Sequence, residues 1–210
     1  VFGKELYGSG VFIAKEEGIL CGIDMIDLTY EAYGDDTVKT ELFKRDGDPV
    51  KPGDVLAKVY GRVSTLLPCE RVILNLMQLM SGVATLTARY VATLDDDSIR
   101  VCDTRKTYPG LRLFEKYAVT CGGGYNHRYA LYDGVMLKDN HIAFAGGIEK
   151  AVALVKSRLG HMVKIEVETE TEQQVKDAVK AGADVIMFDN RSPQEIKKLK
   201  EQVGGQAVLG

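Results

Sequence analysis

The sequence has no apolar run near the roughly 20 residues that a bilayer span requires. Its opening, VFGKELYGSGVFIAKEEG, lacks the charged-then-apolar pattern of a secretory leader. Neither a membrane role nor export is expected. Cysteine is sparse: Cys21, Cys69, Cys102 and Cys121 form no CxxC pair and show no zinc-ligand spacing. Three of the four lie in or beside apolar segments, so reduced structural thiols of a cytoplasmic protein are expected. Positive charge is not in excess, since 27 Lys and Arg stand against 30 Asp and Glu for a net charge of −3. No basic stripe runs along a predicted helix, which argues against duplex nucleic acid as a partner. The first residues read as the interior of a domain and the closing GGQAVLG as a strand just begun, so both ends are expected to be trimmed.

What is present is an ordinary globular composition, 45% hydrophobic and 27% charged over 210 residues, enough for one generous domain or two small ones. Residues 1–64 read as a small α+β unit. GVFIAKEEGILCG has the alternation of strand–turn–strand around Val11, Ile13, Ile19 and Leu20. IDMIDLTYEAYG reads as a short amphipathic helix stopped by Gly34, and TVKTELF and VLAKVYG as strands flanking the turn-rich RDGDPVKPGD. Residues 65–98 form a connecting segment with the longest helical signal, carried by Val72, Ile73, Leu76, Leu79, Met80, Val83, Leu86, Tyr90 and Val91.

Over residues 99–210 the rhythm becomes strand–loop–helix. IRVCD, DGVMLKDN, MVKIEVET and ADVIMFDN read as strands, and LRLFEKYAVTCGG, GIEKAVALVKSRLG, TEQQVKDAVKAG and SPQEIKKLKEQVG as helices, the last capped by Ser192 with Pro193 in its first turn. Strands alternating with helices of this length predict βαβ units and a parallel sheet. Each strand ends in charged residues: Asp103-Thr104-Arg105-Lys106, Lys138-Asp139-Asn140, Glu166/Glu168 and Asp189-Asn190. The C-terminal mouth of a parallel barrel or open α/β sheet is where such folds place function, so these motifs are expected to converge.

Between Asp103 and His141 lie Arg105, Lys106, Arg112, Lys116, His127, Arg128 and Lys138, a cationic concentration in an acidic chain. Its simplest counterpart is a small ligand with several carboxylates or phosphates: the Arg fork suits carboxylate and the Lys point charge suits phosphate. Gly122-Gly123-Gly124 ahead of Tyr125-Asn126-His127-Arg128 is expected to bring backbone N–H groups to that ligand. His127 reads as a donor to an anion rather than a metal ligand, and His141 as a support for its loop. Lys138 follows VML and should point into the mouth. Glu166 and Glu168 share a strand face, one of them deeper. With Asp189 these carboxylates suit ribose hydroxyls, a Mg²⁺ accompanied by phosphates, or a developing cation.

The runs ERVILNLMQLMSGVATLT (70–87), DTRKTYPGLR (103–112), EKYAVTCGGGYNHR (115–128), YDGVMLKDNHI (132–142) and AGADVIMFDN (181–190) together closely resemble the quinolinate phosphoribosyltransferase family, also called nicotinate-nucleotide pyrophosphorylases. The resemblance implies an α/β fold: a small N-terminal α/β sandwich domain followed by an incomplete parallel α/β barrel, in a homodimer or a multiple of one. It implies transfer of phosphoribosyl from phosphoribosyl pyrophosphate to quinolinate with decarboxylation, giving nicotinate mononucleotide, pyrophosphate and CO2, with Mg²⁺ carried by the pyrophosphate near Glu168 and Asp189 and no direct protein ligand to the metal. By the same resemblance Arg105, His127, Arg128 and Lys138 would hold the quinolinate carboxylates. Thr104 and Lys106 would lie near the sugar phosphate, with Glu168 and Asp189 facing the ribose and pyrophosphate. Lys106, Lys138, Glu168 and Asp189 form the implied catalytic set. Arg71 would reach into the neighbouring subunit's site. The family also has segments ahead of Val1 and further strands beyond Gly210 that bind the sugar phosphate.

Three rival expectations come from the same sequence. One is a related transferase acting on another aromatic acid, as in the molybdenum-transport-associated homologue or nicotinate phosphoribosyltransferase; the full cationic set favours a dicarboxylate over a monocarboxylate. A second is an inactive structural homologue. The third is a carrier domain, since RDGDPVKPGDVLAKV resembles biotinyl and lipoyl hairpins, but no modifiable lysine stands at a hairpin tip and Lys58 falls inside a predicted strand.

Overall fold

A computed structural model describes residues 5–210; the first four residues of the expected N-terminal domain lie outside that range. The chain divides into two compact units, Val1–His127 and Arg128–Gly210. The first contains β1 (Tyr7–Ile13), β2 (Gly18–Ile19), α1 (Met25–Tyr33), β3 (Lys39–Leu42), β4 (Pro49–Val50), β5 (Val55–Arg62), α2 (Val63–Leu94) and α3 (Arg112–Cys121). The second contains β6 (Val135–Leu137), α4 (Asp139–Ala145), α5 (Ile148–Lys156), β7 (Ile165–Thr169), α6 (Glu172–Ala181), β8 (Val185–Phe188), α7 (Pro193–Val203) and β9 (Val208–Leu209).

In the first unit β5 is the central strand of an antiparallel sheet ordered β1-β5-β3, and β2 pairs with β4 in a separate two-stranded ribbon. The strands on either side of the first turn therefore both form, but they pair elsewhere rather than with each other. The stretch read as a turn also contains β4. Alternation along β1 turns Phe12 inward and Val11 and Ile13 outward. Phe12 meets Leu56 and Val59 of β5, Ile26 and Tyr30 of α1, and Leu66, Cys69, Ile73 and Met77 of α2 in one core.

The long helix buries a different face from the one its strongest hydrophobes suggest. Its buried stripe is Leu66, Cys69, Ile73, Met77, Met80, Ala84 and Thr87, at regular three-and-four spacing. Val72, Leu86 and Tyr90 remain 51%, 54% and 60% exposed, so α2 is apolar on two sides and, among the described residues, only one is covered. IRVCD forms a single parallel bridge, Cys102 to Tyr125, in place of a strand.

The second unit is a parallel sheet ordered β6-β7-β8-β9. Parallel strands need crossover connections, here α4 and α5, then α6, then α7. Three of these helices end in left-handed glycines, Gly146, Gly182 and Gly204, while Thr171 and Ser192 cap the starts of α6 and α7 through their hydroxyls. The core is Leu137, Ile148, Val152, Ile165, Val167, Val175, Ile186, Phe188, Leu199 and Val203. Among the described residues no helix is long and apolar enough to cross a membrane.

Buried Asp35 ties the exit of α1 to the junction of β5 and α2. It accepts hydrogen bonds from Thr37 N and Oγ1 and from Thr65 Oγ1, and Arg62 lies 3.7 Å away. Chiefly through the Thr37 and Thr65 hydroxyls, its carboxyl is lowered from 3.8 to about 2. A carboxyl depressed on folding stabilises the protein above its unfolded value, and that contribution is lost as pH falls through the folded one. The stability gap between the native chain and Asp35→Asn, followed by urea midpoints, should therefore be full above about pH 4 and shrink as pH falls toward about 2. A gap independent of pH would show that the ionised carboxylate contributes nothing.

Candidate active site

The candidate residues fall into two groups, one in each unit. In the first, the organising group is Asp103, directly after the IRVC run. Its carboxylate receives the fully buried Lys116 ammonium in an ion pair, Asn126 Nδ2 at 2.6 Å and the His127 backbone N–H at 2.8 Å. Lys116 Nζ also donates to the His127 carbonyl at 3.0 Å, and Asn126 Nδ2 to the Lys116 carbonyl at 2.8 Å. Backbone bonds from Tyr125 N to Val101 O and from Asp103 N to Tyr125 O fix the two segments side by side. The DTRK loop and the Asn126-His127 segment are thus locked to the same helix, α3.

This arrangement overturns part of the sequence expectation. Lys116 is not a ligand-facing cation, because its charge is spent on Asp103 inside the unit. Arg112 turns back on its own loop, its Nε donating to Thr107 Oγ1 at 3.2 Å. The glycine triplet does not present amides to a ligand: the N–H groups of Gly122, Gly123 and Gly124 donate to the Ala118, Thr120 and Val119 carbonyls at the end of α3. The glycines serve packing. A Cβ on Gly122 would lie 2.3 Å from the Ala84 carbonyl oxygen of α2, and one on Gly124 would lie 2.7 Å from Val119 Cγ1 and 2.8 Å from Thr87 Cγ2.

Thr104 accepts the Lys106 N–H at 3.0 Å, forming a tight turn at the exit of the bridge. Thr104 and Lys106 are exposed. Arg105 is half-buried, and its Nε is sequestered from solvent without a hydrogen-bond partner. A buried donor left unanswered costs roughly 1–3 kcal/mol, so such a group is a natural seat for an incoming acceptor. Arg71 is exposed on α2 beside Val72.

In the second unit the charged residues stand at the C-terminal tips of neighbouring strands. Lys138 follows β6 and pairs with Glu168 of β7 at 2.8 Å, their side chains 43% and 15% exposed. Glu166, two residues earlier, is the deeper carboxylate and is buried. Asp189 follows β8; its N–H donates to the Thr169 carbonyl at 3.1 Å and its Oδ2 accepts from Asn190 at 2.9 Å. His141 accepts the Lys138 N–H at 3.0 Å on Nδ1, supporting the loop as expected. Helix α4, which the sequence reading did not anticipate, begins at that turn. Arg128 Nη1 donates to the Gly134 carbonyl at 3.0 Å, across a loop that Asp133 closes through the Tyr129 and Ala130 amides. Asp103 and Asn126 are the residues that sequence reasoning missed as organisers. The available signal was an Asp closing an apolar run, the position that Asp189 holds after VIMF. Lys58, in the carrier-like segment, lies mid-strand in β5, paired across to Val11 and Glu41.

Two family models match successive parts of the chain: "Quinolinate phosphoribosyl transferase, N-terminal domain" over residues 2–81 and "Quinolinate phosphoribosyl transferase, C-terminal domain" over residues 83–208. A probable nicotinate-nucleotide pyrophosphorylase [carboxylating] of Bacillus subtilis (strain 168) is 50% identical over 197 residues, 94% of this chain and 68% of that protein. Its counterpart from Methanothermobacter thermautotrophicus is 39% identical over 193 residues, 91% of this chain and 68% of that protein. Among solved structures, NadC from Streptococcus pyogenes superposes with a TM-score of 0.94 at 42% identity, covering 99% of this chain and 73% of that one.

The Asp103 network makes a contrast that can be measured. Lys116→Met should cost about 3–5 kcal/mol in urea unfolding, because it strands a buried carboxylate. Lys164→Met, which removes a partner of Asp184 from an exposed pair, should cost no more than about 1 kcal/mol. Equal costs would remove Asp103–Lys116 from its organising role. Gly122→Ala should destabilise by at least about 1–3 kcal/mol, since the clash falls on helix backbone.

Proposed function

The chain belongs to the quinolinate phosphoribosyl transferase family, and from that premise we propose that it is a pentosyltransferase of NAD biosynthesis. It transfers phosphoribosyl from phosphoribosyl pyrophosphate to quinolinate with loss of CO2, yielding nicotinate mononucleotide and pyrophosphate. The observation that carries this reading is the unbroken succession of the two family domains along the sequence, residues 2–81 and 83–208.

At residue level, Arg105, His127, Arg128 and Lys138 bind the two quinolinate carboxylates. The sequestered, unanswered Nε of Arg105 supports this, as does the rigid seating of the His127 backbone on Asp103 and Lys116. Thr104 and Lys106 take the sugar phosphate, with their exposed turn offering a hydroxyl and an ammonium. Glu168 and Asp189 face the ribose, where fixed negative charge stabilises an oxocarbenium-like sugar as the bond to pyrophosphate breaks. Lys138, paired with Glu168 at 2.8 Å, holds that carboxylate in place while its own charge faces the acid. Lys106, Lys138, Glu168 and Asp189 together form the catalytic set. No covalent intermediate is needed, and positioning with electrostatics supplies most of the rate.

Mg²⁺ belongs to the same proposal. The hard oxygen donors of Glu168 and Asp189 fit it as water-bridged neighbours, and the ion, carried by the pyrophosphate, would neutralise charge on the leaving group. A homodimer is also proposed: the exposed Val72, Leu86 and Tyr90 stripe on α2 gives it an apolar surface, and exposed Arg71 on the same helix would reach the partner's site. A cytoplasmic setting is supported by the four cysteines, none of which is joined in a disulfide among the described residues.

Quinolinate-dependent pyrophosphate release by the chain tests the activity, and quinolinate should be preferred over nicotinate. Arg105→Ala should weaken quinolinate binding by about 30-fold or more, the equivalent of losing about 2 kcal/mol from a paired buried charge. Unchanged affinity in that variant would refute the carboxylate assignment.

A further inference from the structure

Away from the candidate active site, three donor groups far apart in sequence meet inside the first unit. Cys21 follows β2, Asp46 lies in the turn before β4, and Cys121 ends α3. One thiol or carboxylate atom of each lies within 4.8 Å of the others. Cys21 Sγ stands 4.0 Å from Asp46 Oδ2. Tyr117 lies one helical turn before Cys121 on the same face of α3, its phenol close enough to Cys121 and Asp46 to feel their charge. The cluster therefore holds two thiols, a carboxylate and a phenol.

The surrounding structure holds these groups firmly. Cys21 is fully buried, and its backbone is clamped by Ser81, whose Oγ accepts the Cys21 N–H at 2.9 Å and donates to the Cys21 carbonyl at 3.1 Å. Asp46 uses Oδ1 to accept the Ile23 N–H at 2.9 Å, which orients Oδ2 toward the thiols. An outer hydrogen bond that aims a ligand atom is the usual support of a metal site. Gly22, at φ +89°, lets the backbone turn beside Met80, whose Sδ a Cβ there would approach to 2.8 Å.

The charges that these groups can carry all have one sign. A divalent cation would answer that one-sided arrangement, and the Cys21–Asp46 spacing is close to what zinc requires. With bonds of about 2.3 Å to sulfur and about 2.1 Å to oxygen, a tetrahedral ion holds its donors about 3.6–3.8 Å apart. Cys21 and Asp46 differ from that spacing by a few tenths of an ångström. Asp46 and Cys121 are half-buried and Tyr117 is exposed, so an ion can reach the cluster from solvent.

We propose that Cys21, Asp46 and Cys121 form a binding site for a thiophilic divalent cation of the zinc class, with the Tyr117 hydroxyl beside the remaining position. On binding, each thiol releases its proton to solvent and forms a metal–sulfur bond, with no change of oxidation state. Such an ion would cross-link β2, the turn before β4 and the end of α3, and so stabilise the first unit. The site does not rest on the transferase reading: metal uptake is measured without substrate, so the failure of one leaves the other standing.

The test uses the full chain, reduced and kept anaerobic, titrated with Co²⁺ and then Zn²⁺. The expected result is one Co²⁺ per chain with a thiolate-to-cobalt absorption band, displaced by Zn²⁺, and a rise in Tm on Zn²⁺ addition. Cys121→Ser and the near-isosteric Asp46→Asn should each weaken binding on the order of 100-fold, since even outer partners of a metal site are worth about 10–100-fold. Cys102→Ser, at a cysteine outside the cluster, should leave it unchanged. Circular dichroism establishes that each variant is folded. A reduced chain that shows no thiolate band, or a band that survives Cys121→Ser, would overturn the proposal. So would loss of two thiols to a Cys21–Cys121 disulfide in a chain that takes up no metal when reduced.

Discussion

A single buried ion pair, Asp103 with Lys116, sets the geometry on which the rest of the first unit's candidate site depends. Two opposite charges withdrawn from water are costly to desolvate, and the cost is offset only when geometry and additional hydrogen bonds are good. Here Asp103 also takes the Asn126 amide and the His127 N–H, while Lys116 also reaches the His127 carbonyl. Every bond in the network joins the same three pieces of chain: the DTRK loop, α3 and the Asn126-His127 segment. Arg105 and His127 are held where they are because an interior charge balance leaves their backbones little freedom.

The second unit reaches a comparable result by periodicity rather than by charge. Parallel strands advance in register, with Met136 beside Glu166 and Glu168 beside Met187. A charged residue placed at the end of each strand therefore lands near its neighbours' ends without any dedicated interaction. The same period of two separates Glu166 from Glu168 in depth along one strand. Lys138 then has a carboxylate within reach as a consequence of sheet order, and His141 fixes the turn from which it springs.

Much of this was legible in the residues. Glycine stops, the Ser192 cap with Pro193 behind it and the alternation of strand and helix located nearly every element after α3, because those signals are local and physical. What escaped was non-local. Alternation could not say that β1 pairs with β5 rather than β2, since pairing is settled by the core that Phe12 enters. The hydrophobic count on α2 could not say which of two apolar faces is inward, as Ile73 and Met77 are chosen by what α1 and β5 present to them. Lys116 looked like one more ligand-facing cation because nothing in its neighbourhood announced Asp103, thirteen residues earlier, as its partner. The glycine triplet looked like a ligand cradle, since close approach to a ligand and close approach to a neighbouring helix demand the same missing Cβ. Cys21, Asp46 and Cys121 are too widely separated in sequence for any spacing rule to join them.

The unanswered Nε of Arg105 has a consequence for selection among ligands. Its hydrogen is already withheld from water before anything binds, so the empty site carries the deficit itself. A molecule that brings an oxygen to Arg105 would relieve that cost, and one that brings none would leave it standing. Discrimination of this kind works by reward: it comes from what the right acid repairs rather than from a penalty laid on its near-copies.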